Sequence, residues 1–232
     1  MVHQAGKTFI VVHEGRKALS CSMTELGPTL KAHIIERLLI NDPRNMVFHA
    51  AAVTSGEYGL LISAPPGTGK STLTMHLLNA GFGYATDDIV IIDPDGAIQG
   101  APFAPTLKST SWPLVSSFRP DVNGFVVHDR PDGQVVRYLS IEANVHQRSI
   151  LVNWIVFLER TSDCTNPTLT ELSELDTIKQ IVGASFAPHG KLTSEGFRML
   201  KTMVSRTRSF VLRYTEAADA TGKLIELCNG RI

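Results

Sequence analysis

The chain has little of what would place it outside the cell or across a membrane. Only three of its 232 residues are cysteines, namely Cys21, Cys164 and Cys228. None of them forms a Cys-x-x-Cys pair, which argues against a disulfide framework and against a zinc site. The most extended apolar run, residues 150–158, is interrupted by Asn153 and is too short to span a bilayer. We therefore predict a cytoplasmic protein with no membrane partner.

The chain also lacks an excess of charge of either sign. The 22 basic and 22 acidic residues give a formal net charge of zero at pH 7. Without an excess of positive charge there is no field to attract nucleic acid, so we predict no nucleic-acid partner. The chain is long enough for one substantial hydrophobic core. Its function must therefore be inferred from individual sites.

Hydrophobic periodicity predicts a chain of mixed helices and strands. Several of the predicted strands are joined by tight turns, which favours a mixed sheet over a purely parallel one. The predicted strands are 8–13, 46–54, 59–63, 89–92, 97–99, 125–128, 135–139, 150–158 and 210–214, and the predicted helices are 29–40, 71–79, 175–184, 194–204 and 217–227. We expect the proline-rich segment 100–113 to be a loop with little regular structure.

A glycine-rich stretch at residues 64–72 lies between a short apolar segment and a helical one. Residues 59–63 are typical of a buried parallel strand, and residues 71–79 place leucines at helical spacing. Glycines at such a junction let consecutive backbone N–H groups converge on an anion, and the N-terminus of the helix adds a favourable dipole. We call residues 64–72 the glycine loop and predict that it binds the phosphates of a nucleotide.

The glycine loop follows the pattern G-x-x-x-x-G-K-[ST], except that Ala64 occupies the first position and disfavours a positive φ there. In this pattern Lys70 reaches the β- and γ-phosphates of ATP and the Ser71 hydroxyl binds Mg²⁺. An ordinary turn between a strand and a helix is the alternative. The predicted nucleotide-binding residues are Ala64, Pro65, Pro66, Gly67, Thr68, Gly69, Lys70, Ser71 and Thr72.

Phosphate transfer also requires carboxylates, and three positions compete for that role. Asp93 ends an apolar run, as the metal-binding aspartate of many ATPases does, but it also begins an Asp-Pro-Asp-Gly turn that favours aspartate without chemistry. Glu159 follows a predicted core strand and also suits a solvated strand end. The adjacent Asp87 and Asp88 repel one another, so a nearby cation or metal would compensate their charge. A solvated loop would also tolerate the pair.

The order of these features resembles that of the bacterial HPr kinase/phosphorylase catalytic domain. His49 precedes the glycine loop, and Gly81 followed by Asp87 and Asp88 comes after it. The HPr kinase-like group that includes the lasso-peptide precursor kinases is more similar still. That further similarity lies in residues 100–102, 107–108, 132–133 and 195–198. The resemblance covers most of the chain from about Val47 onward.

The resemblance implies an α/β fold of the HPr kinase and phosphoenolpyruvate carboxykinase-like type, with a mixed sheet and flanking helices. It implies an ATP- and Mg²⁺-dependent P-loop kinase that phosphorylates a serine hydroxyl of a peptide or small protein, with a lasso-peptide precursor as the most specific candidate. By position, Asp87 matches the catalytic base, Asp88 its neighbour near Mg²⁺, and His49 a histidine beside the active site. Lys70 completes the implied catalytic set. For His49, a half-buried strand histidine is the alternative. A homo-oligomer is compatible with this resemblance.

For the organisation of the chain we predict one compact unit. Residues 1–45 would form a strand and helix segment packed on the core, and residues 46–232 would form the kinase domain. Lys108 could supply positive charge for a phosphate or a substrate, or be an ordinary surface lysine. Two other functions remain open: a kinase for a free small molecule such as an amino acid, and a nucleotide-binding regulator that transfers no phosphate.

Overall fold

The computed structural model describes residues 1–12, 18–41, 46–101, 103–141, 149–183 and 192–230. The predictions that concern the turn at 14–16, the helix end at 42–43, Pro102 and Ala184 lie outside these residues. The chain divides into two compact units, which we call the small unit (Met1–Asn41 with Thr106–Leu139) and the large unit (Asp42–Pro105 with Ser140–Ile232). In this division residues 106–139 belong with the N-terminal segment. The organisation of the chain with a boundary at residue 45 stays a prediction.

The described residues form fourteen strands and six α-helices. In chain order the strands are β1 (Val2–Ala5), β2 (Thr8–Val11), β3 (Leu19–Cys21), β4 (Met46–Ser55), β5 (Tyr58–Ser63), β6 (Gly83–Thr86), β7 (Ile89–Ile92), β8 (Ala97–Gly100), β9 (Thr106–Lys108), β10 (Val127–Asp129), β11 (Val135–Tyr138), β12 (Ile150–Arg160), β13 (Thr168–Glu171) and β14 (Arg208–Tyr214). The helices are α1 (Met23–Asn41), α2 (Lys70–Asn79), α3 (Trp112–Ser116), α4 (Glu174–Gly183), α5 (Ser194–Val204) and α6 (Ala217–Cys228).

The small unit contains two antiparallel three-stranded sheets and the long helix α1. One sheet has the order β1-β2-β3 and the other the order β10-β11-β9. The prediction for segment 100–113 is wrong, because it contains the strand β9 and the beginning of α3. The start of α3 is favoured by Pro113, since the fixed φ of proline suits the first turn of a helix.

Helix α1 begins six residues before the predicted start at Thr29, and Pro28 lies inside it. Ser22 and Glu25 form a capping box: the Ser22 N–H donates to Glu25 Oε2 at 2.8 Å, and the Glu25 N–H donates to Ser22 Oγ at 3.3 Å. Pro28 has no N–H to donate to the Thr24 carbonyl. His128 Nδ1 lies 3.1 Å from this oxygen and donates to it, because a carbonyl can only accept. The helix can therefore continue through the proline.

A mixed sheet forms the centre of the large unit. Its strands follow the order β13-β14-β12-β5-β4-β7-β8, and β6 also pairs with β4. Strands β14, β12 and β5 are parallel to one another, whereas β4 is antiparallel to β5, β6 and β7. Strand β8 pairs with β7 and also with the first residues of β12, so the sheet curls back on itself. The predicted α/β class with a mixed sheet and flanking helices is confirmed.

Two hydrophobic clusters cover the two faces of this sheet. Along β4, Phe48 and Ala50 belong to one cluster while Ala51 and Val53 belong to the other, as the alternation of side chains along a strand requires. Residues of α4 and α5 complete the first cluster, and residues of α2 and α6 complete the second. Among the described helices, none combines the length and apolar character that crossing a membrane would require.

Candidate functional site

The register of the sheet places the ends of β5 and β6, which precede the glycine loop and the Asp87-Asp88 pair, within two residues of each other along β4. Strands β5 and β6 flank β4 on opposite sides and both run antiparallel to it. Strand β5 ends at Ser63, opposite Ala50, and β6 ends at Thr86, opposite Ala52. Because neighbouring strands lie about 4.8 Å apart, the two strand ends are separated by about 10 Å across β4. The glycine loop follows one strand end and Asp87 follows the other.

The glycine loop turns from β5 into α2 through two residues in the left-handed region. Gly67 has a φ of 86° and Gly69 has a φ of 110°, which other residues rarely adopt. Gly69 is the N-cap of α2 and has no side chain with which to cap the helix. Gly69 therefore does not cap the N-terminus of α2 with a side chain. The positive end of the helix dipole faces the glycine loop.

Lys70 lies over the beginning of the glycine loop. It is the first residue of α2 and is only 6% exposed. Its Nζ donates to the Ala64 carbonyl at 2.6 Å and lies 3.4 Å from the Pro65 carbonyl. The Thr68 hydroxyl also donates to the Pro65 carbonyl, at 2.9 Å. These contacts hold a buried positive charge within the loop, beside the N-terminus of a helix.

Asp87 is almost completely buried, with 1% of its surface exposed. The Tyr84 hydroxyl donates to the Phe103 carbonyl at 2.7 Å and lies 3.4 Å from Asp87 Oδ1. Burial of Tyr84, together with the negative charges of Asp87 and Asp88, raises the pKa of the Tyr84 phenol well above its ordinary value. Tyr84 therefore keeps its proton and remains a hydrogen-bond donor beside the carboxylate.

The other predicted site residues also belong to the large unit. Asp88 is half-buried between β6 and β7, and Ser71 is half-buried in the first turn of α2. His49 is half-buried in β4, where it pairs with Ile89, two residues beyond Asp87. Their roles stay predictions. Lys108 ends β9 in the small unit.

The two competing carboxylates have structural partners. Asp93 Oδ1 accepts the backbone N–H groups of Asp95 at 3.0 Å and of Ala97 at 2.9 Å, as expected for an aspartate that forms the turn between β7 and β8. Glu159 is exposed and lies 3.7 Å from Arg213. These contacts favour the turn for Asp93 and the solvated strand end for Glu159.

Sequence reasoning missed two residues that position the site. The Tyr214 hydroxyl donates to the Thr68 carbonyl in the glycine loop at 3.0 Å, although the two residues are 146 positions apart. Gly100 lies so close to β6 that a Cβ atom there would be 2.2 Å from the Ala85 carbonyl oxygen. No local pattern indicates either contact, because each one joins residues that are distant in the sequence.

Within the part of the chain that the structure describes, no group of three or more His, Cys, Asp or Glu residues could hold a metal ion. Ser71 and Asp88 are the residues that the sequence offers for a metal site.

Comparisons with known proteins leave the family of the chain open. A scan against protein-family models found no match, and a search of curated proteins found none either. Among solved structures, the chain is similar to the structure of the Hpr(Ser) kinase/phosphatase from Coxiella burnetii, with 12% sequence identity and a TM-score of 0.35 over 80% of this chain and 94% of that chain. A likeness of this size is too weak to support an assignment of function.

Proposed function

We propose that the chain is an ATP-dependent kinase that transfers the γ-phosphate of ATP to a serine hydroxyl of a peptide or small protein. One observation carries this proposal: the glycine loop and the Asp87-Asp88 pair follow two strands that flank β4 and end within two residues of each other along it. The separation of about 10 Å leaves room for a phosphoryl group at the loop and a hydroxyl beside the carboxylates.

The residues of the glycine loop fit the triphosphate of ATP. Gly67 and Gly69 adopt positive φ angles that bring backbone N–H groups around an anion, and the N-terminus of α2 adds its dipole. Lys70 supplies a positive charge that is already held inside the loop. Mg²⁺ usually takes one or two protein ligands together with phosphate oxygens and water, which suits Ser71 and Asp88. When bound, this ion offsets the charge that develops on the phosphate oxygens.

In the proposed reaction the serine oxygen forms a bond to the γ-phosphorus, and the bond from that phosphorus to the β–γ bridging oxygen breaks, releasing ADP. Lys70 and the N–H groups of the loop stabilise the charge on the transferred group. Asp87 takes the proton that the serine hydroxyl loses. Asp87 is 1% exposed, whereas its neighbour Asp88 is half-buried. The two carboxylates must therefore be tested side by side.

Three variants separate the proposed roles. We expect Lys70→Ala to weaken ATP binding, because it removes the only side-chain cation of the glycine loop. We expect Asp87→Asn to keep the affinity for ATP and to lower the transfer rate by about 10²–10⁴-fold, the usual contribution of a general base. Asp88→Asn should raise the concentration of Mg²⁺ that half-saturates the reaction. Asp95→Asn, at an exposed position in the turn after β7, is the matched control and should resemble the wild type.

The acceptor is identified by mass spectrometry after incubation with ATP and Mg²⁺. A serine-containing peptide, with a lasso-peptide precursor as the first choice, and free serine are offered separately. Phosphorylation of the peptide alone supports the proposal, whereas phosphorylation of free serine alone shows a small-molecule kinase. Binding of ATP with no transfer to any acceptor would indicate a nucleotide-binding regulator. Binding of ATP with every measured turnover unchanged in Asp87→Asn would indicate the same.

A further inference from the structure

Tyr214 connects the core of the large unit to the glycine loop. It is the last residue of β14 and is 1% exposed. Only β12 separates β14 from β5, the strand that leads into the loop, and all three strands are parallel. Their carboxyl ends therefore lie at one edge, where the Tyr214 hydroxyl donates to the Thr68 carbonyl at 3.0 Å.

This hydrogen bond fixes the orientation of a whole peptide unit. The carbonyl of Thr68 and the N–H of Gly69 belong to the same planar, trans peptide, so they point in opposite directions. A hydrogen bond that holds the Thr68 oxygen toward Tyr214 therefore holds the Gly69 N–H away from it. Rotation of this peptide would break the bond and leave a buried phenol without its acceptor, which is costly.

The absence of a side chain at Gly69 permits this contact. A Cβ atom at Gly69 would lie 3.0 Å from the Tyr214 hydroxyl oxygen, closer than Cβ atoms normally approach another atom. The φ of 110° at Gly69 independently disfavours any other residue. The glycine therefore serves two purposes, the turn into α2 and the approach of the tyrosine.

The chemistry of Tyr214 suits a permanent donor. Burial raises the pKa of its phenol, and the positive charge of Arg160 acts in the opposite direction as the smaller effect. The hydroxyl therefore stays protonated near neutral pH. Its aromatic ring belongs to the hydrophobic cluster that also contains residues of α2 and α6, so the hydroxyl is attached to a rigid part of the fold.

We propose that Tyr214 is a positioning residue that orients the Gly69 N–H toward the β-phosphate of the bound nucleotide. The proposal rests on the proposed function, in which the glycine loop binds ATP. In loops of this type the backbone N–H groups contact the α- and β-phosphates. Tyr214 contributes no contact of its own to the nucleotide and acts through the peptide that it holds.

The test measures ADP binding by calorimetry and the Gly69 amide resonance by NMR. In the wild type we expect ADP to move the Gly69 amide proton downfield, as a hydrogen bond to phosphate does. In Tyr214→Phe, which keeps the ring and loses the hydroxyl, we expect about tenfold weaker ADP binding and no such shift. Tyr58→Phe is the matched control, because Tyr58 is 56% exposed at the start of β5 and should leave both measurements unchanged.

Retention of the Gly69 shift in Tyr214→Phe overturns the proposal, whether or not ADP binds more weakly. A wild-type protein that binds no ADP overturns the proposed function together with this inference, so the two failures are distinguishable. If Tyr214→Phe does not fold, Gly69→Ala replaces it, because the added methyl group would displace the hydroxyl. Unchanged ADP affinity in Gly69→Ala then overturns the proposal.

Discussion

Individual carboxylates in this chain are distinguished by their partners more than by their position in the sequence. Asp93 and Asp87 are both aspartates at the end of a strand. Asp93 accepts two backbone N–H groups of its own turn, whereas Asp87 is buried beside a tyrosine hydroxyl. A side chain that accepts backbone N–H groups in this way has a structural role, which any side chain with a suitably placed oxygen can fill. A substitution that keeps the oxygen but removes the charge therefore separates a structural role of the aspartate from a role in phosphate transfer.

We expect Asp93→Asn to keep both stability and phosphate transfer, since the amide oxygen of asparagine accepts the same two N–H groups. Asp93→Ala removes both bonds and should lower the free energy of unfolding by about 1–2 kcal/mol. Urea denaturation measures the stability, and the peptide assay measures the transfer. A large loss of transfer in Asp93→Asn with unchanged stability would return Asp93 to the metal-binding role.

His76 should make stability depend on pH. It lies half-buried in α2, and burial lowers its pKa below the ordinary value of about 6.5. As the pH falls below about 6.5, the unfolded chain binds a proton at this position before the folded chain does. The free energy of unfolding should therefore decrease until the pH passes the folded pKa of His76.

His76→Gln should make this decrease shallower, and the measurement is a series of urea titrations between pH 7.5 and about pH 5. His3→Gln, at an exposed position in β1, is the control and should follow the wild type. If the free energy of unfolding falls equally steeply with decreasing pH in His76→Gln and in the wild type, burial of His76 does not contribute to the loss of stability in acid.

At the scale of elements, close contact between β8 and β6 positions Asp87. The Ala85 carbonyl lies where a side chain at Gly100 would begin, and Ala85 is two residues before Asp87. The φ of Gly100 is not positive, so the backbone conformation does not require a glycine at this position. A glycine is required because the backbones of the two strands lie too close together for a side chain.

We expect Gly100→Ala to destabilise the large unit by about 1–3 kcal/mol and to reduce phosphate transfer, since the added methyl group forces β6 to move. Gly222→Ala is the opposite case, because Gly222 lies inside α6 and has no atom within 4 Å of an added Cβ. In this second variant the free energy of unfolding should increase by about 0.5–1 kcal/mol, and the activity should be unchanged. Urea denaturation and the transfer assay distinguish the two. Equal stability of the two variants would contradict the proposed contact.

The sequence predicted the elements whose signals are local. The hairpin of β4 and β5, the helix after the glycine loop and the strand β12 all follow from apolar patterns within a few residues. The strands β6 and β13 were not predicted, because each contains few large apolar residues, whereas the equally short β7 consists of apolar residues alone. The sequence predicts a helix start near Pro28, since the compensating contact comes from His128, which lies 104 positions after Thr24, the residue whose carbonyl it contacts.

For the candidate site the same distinction holds. The glycine loop is predicted from a local motif and Asp87 from a resemblance in spacing, and their roles stay predictions. The placement of both strand ends within two residues of each other along β4 depends on the register of three strands. Tyr214 carries no motif, and the resemblance in residues 100–102 does not indicate the contact that Gly100 makes with β6. A sequence therefore indicates candidate site residues more readily than it indicates the residues that position them.

At the scale of the whole molecule, the division into two units makes a prediction about truncation. The strands β9, β10 and β11 belong to the small unit together with α1, which contacts β10. Lys31 in α1 donates to the Thr106 hydroxyl at 2.5 Å and lies 5.4 Å from the ring centre of Tyr138. Removal of residues 1–41 would expose this side of the sheet to water, although residues 106–139 would remain in the chain.

We therefore expect a chain of residues 46–232 to be cut by trypsin within residues 106–139 much faster than the full chain, since local opening becomes easier when few contacts remain. The strands β4, β5 and β12 should stay protected, because both of the clusters that cover them lie in the large unit. Mass spectrometry of the fragments locates the cuts. The full-length protein, treated in parallel, is the control. Equal resistance of residues 106–139 in both chains would favour the division at residue 45, because residues 46–232 would then hold this segment without the N-terminal residues.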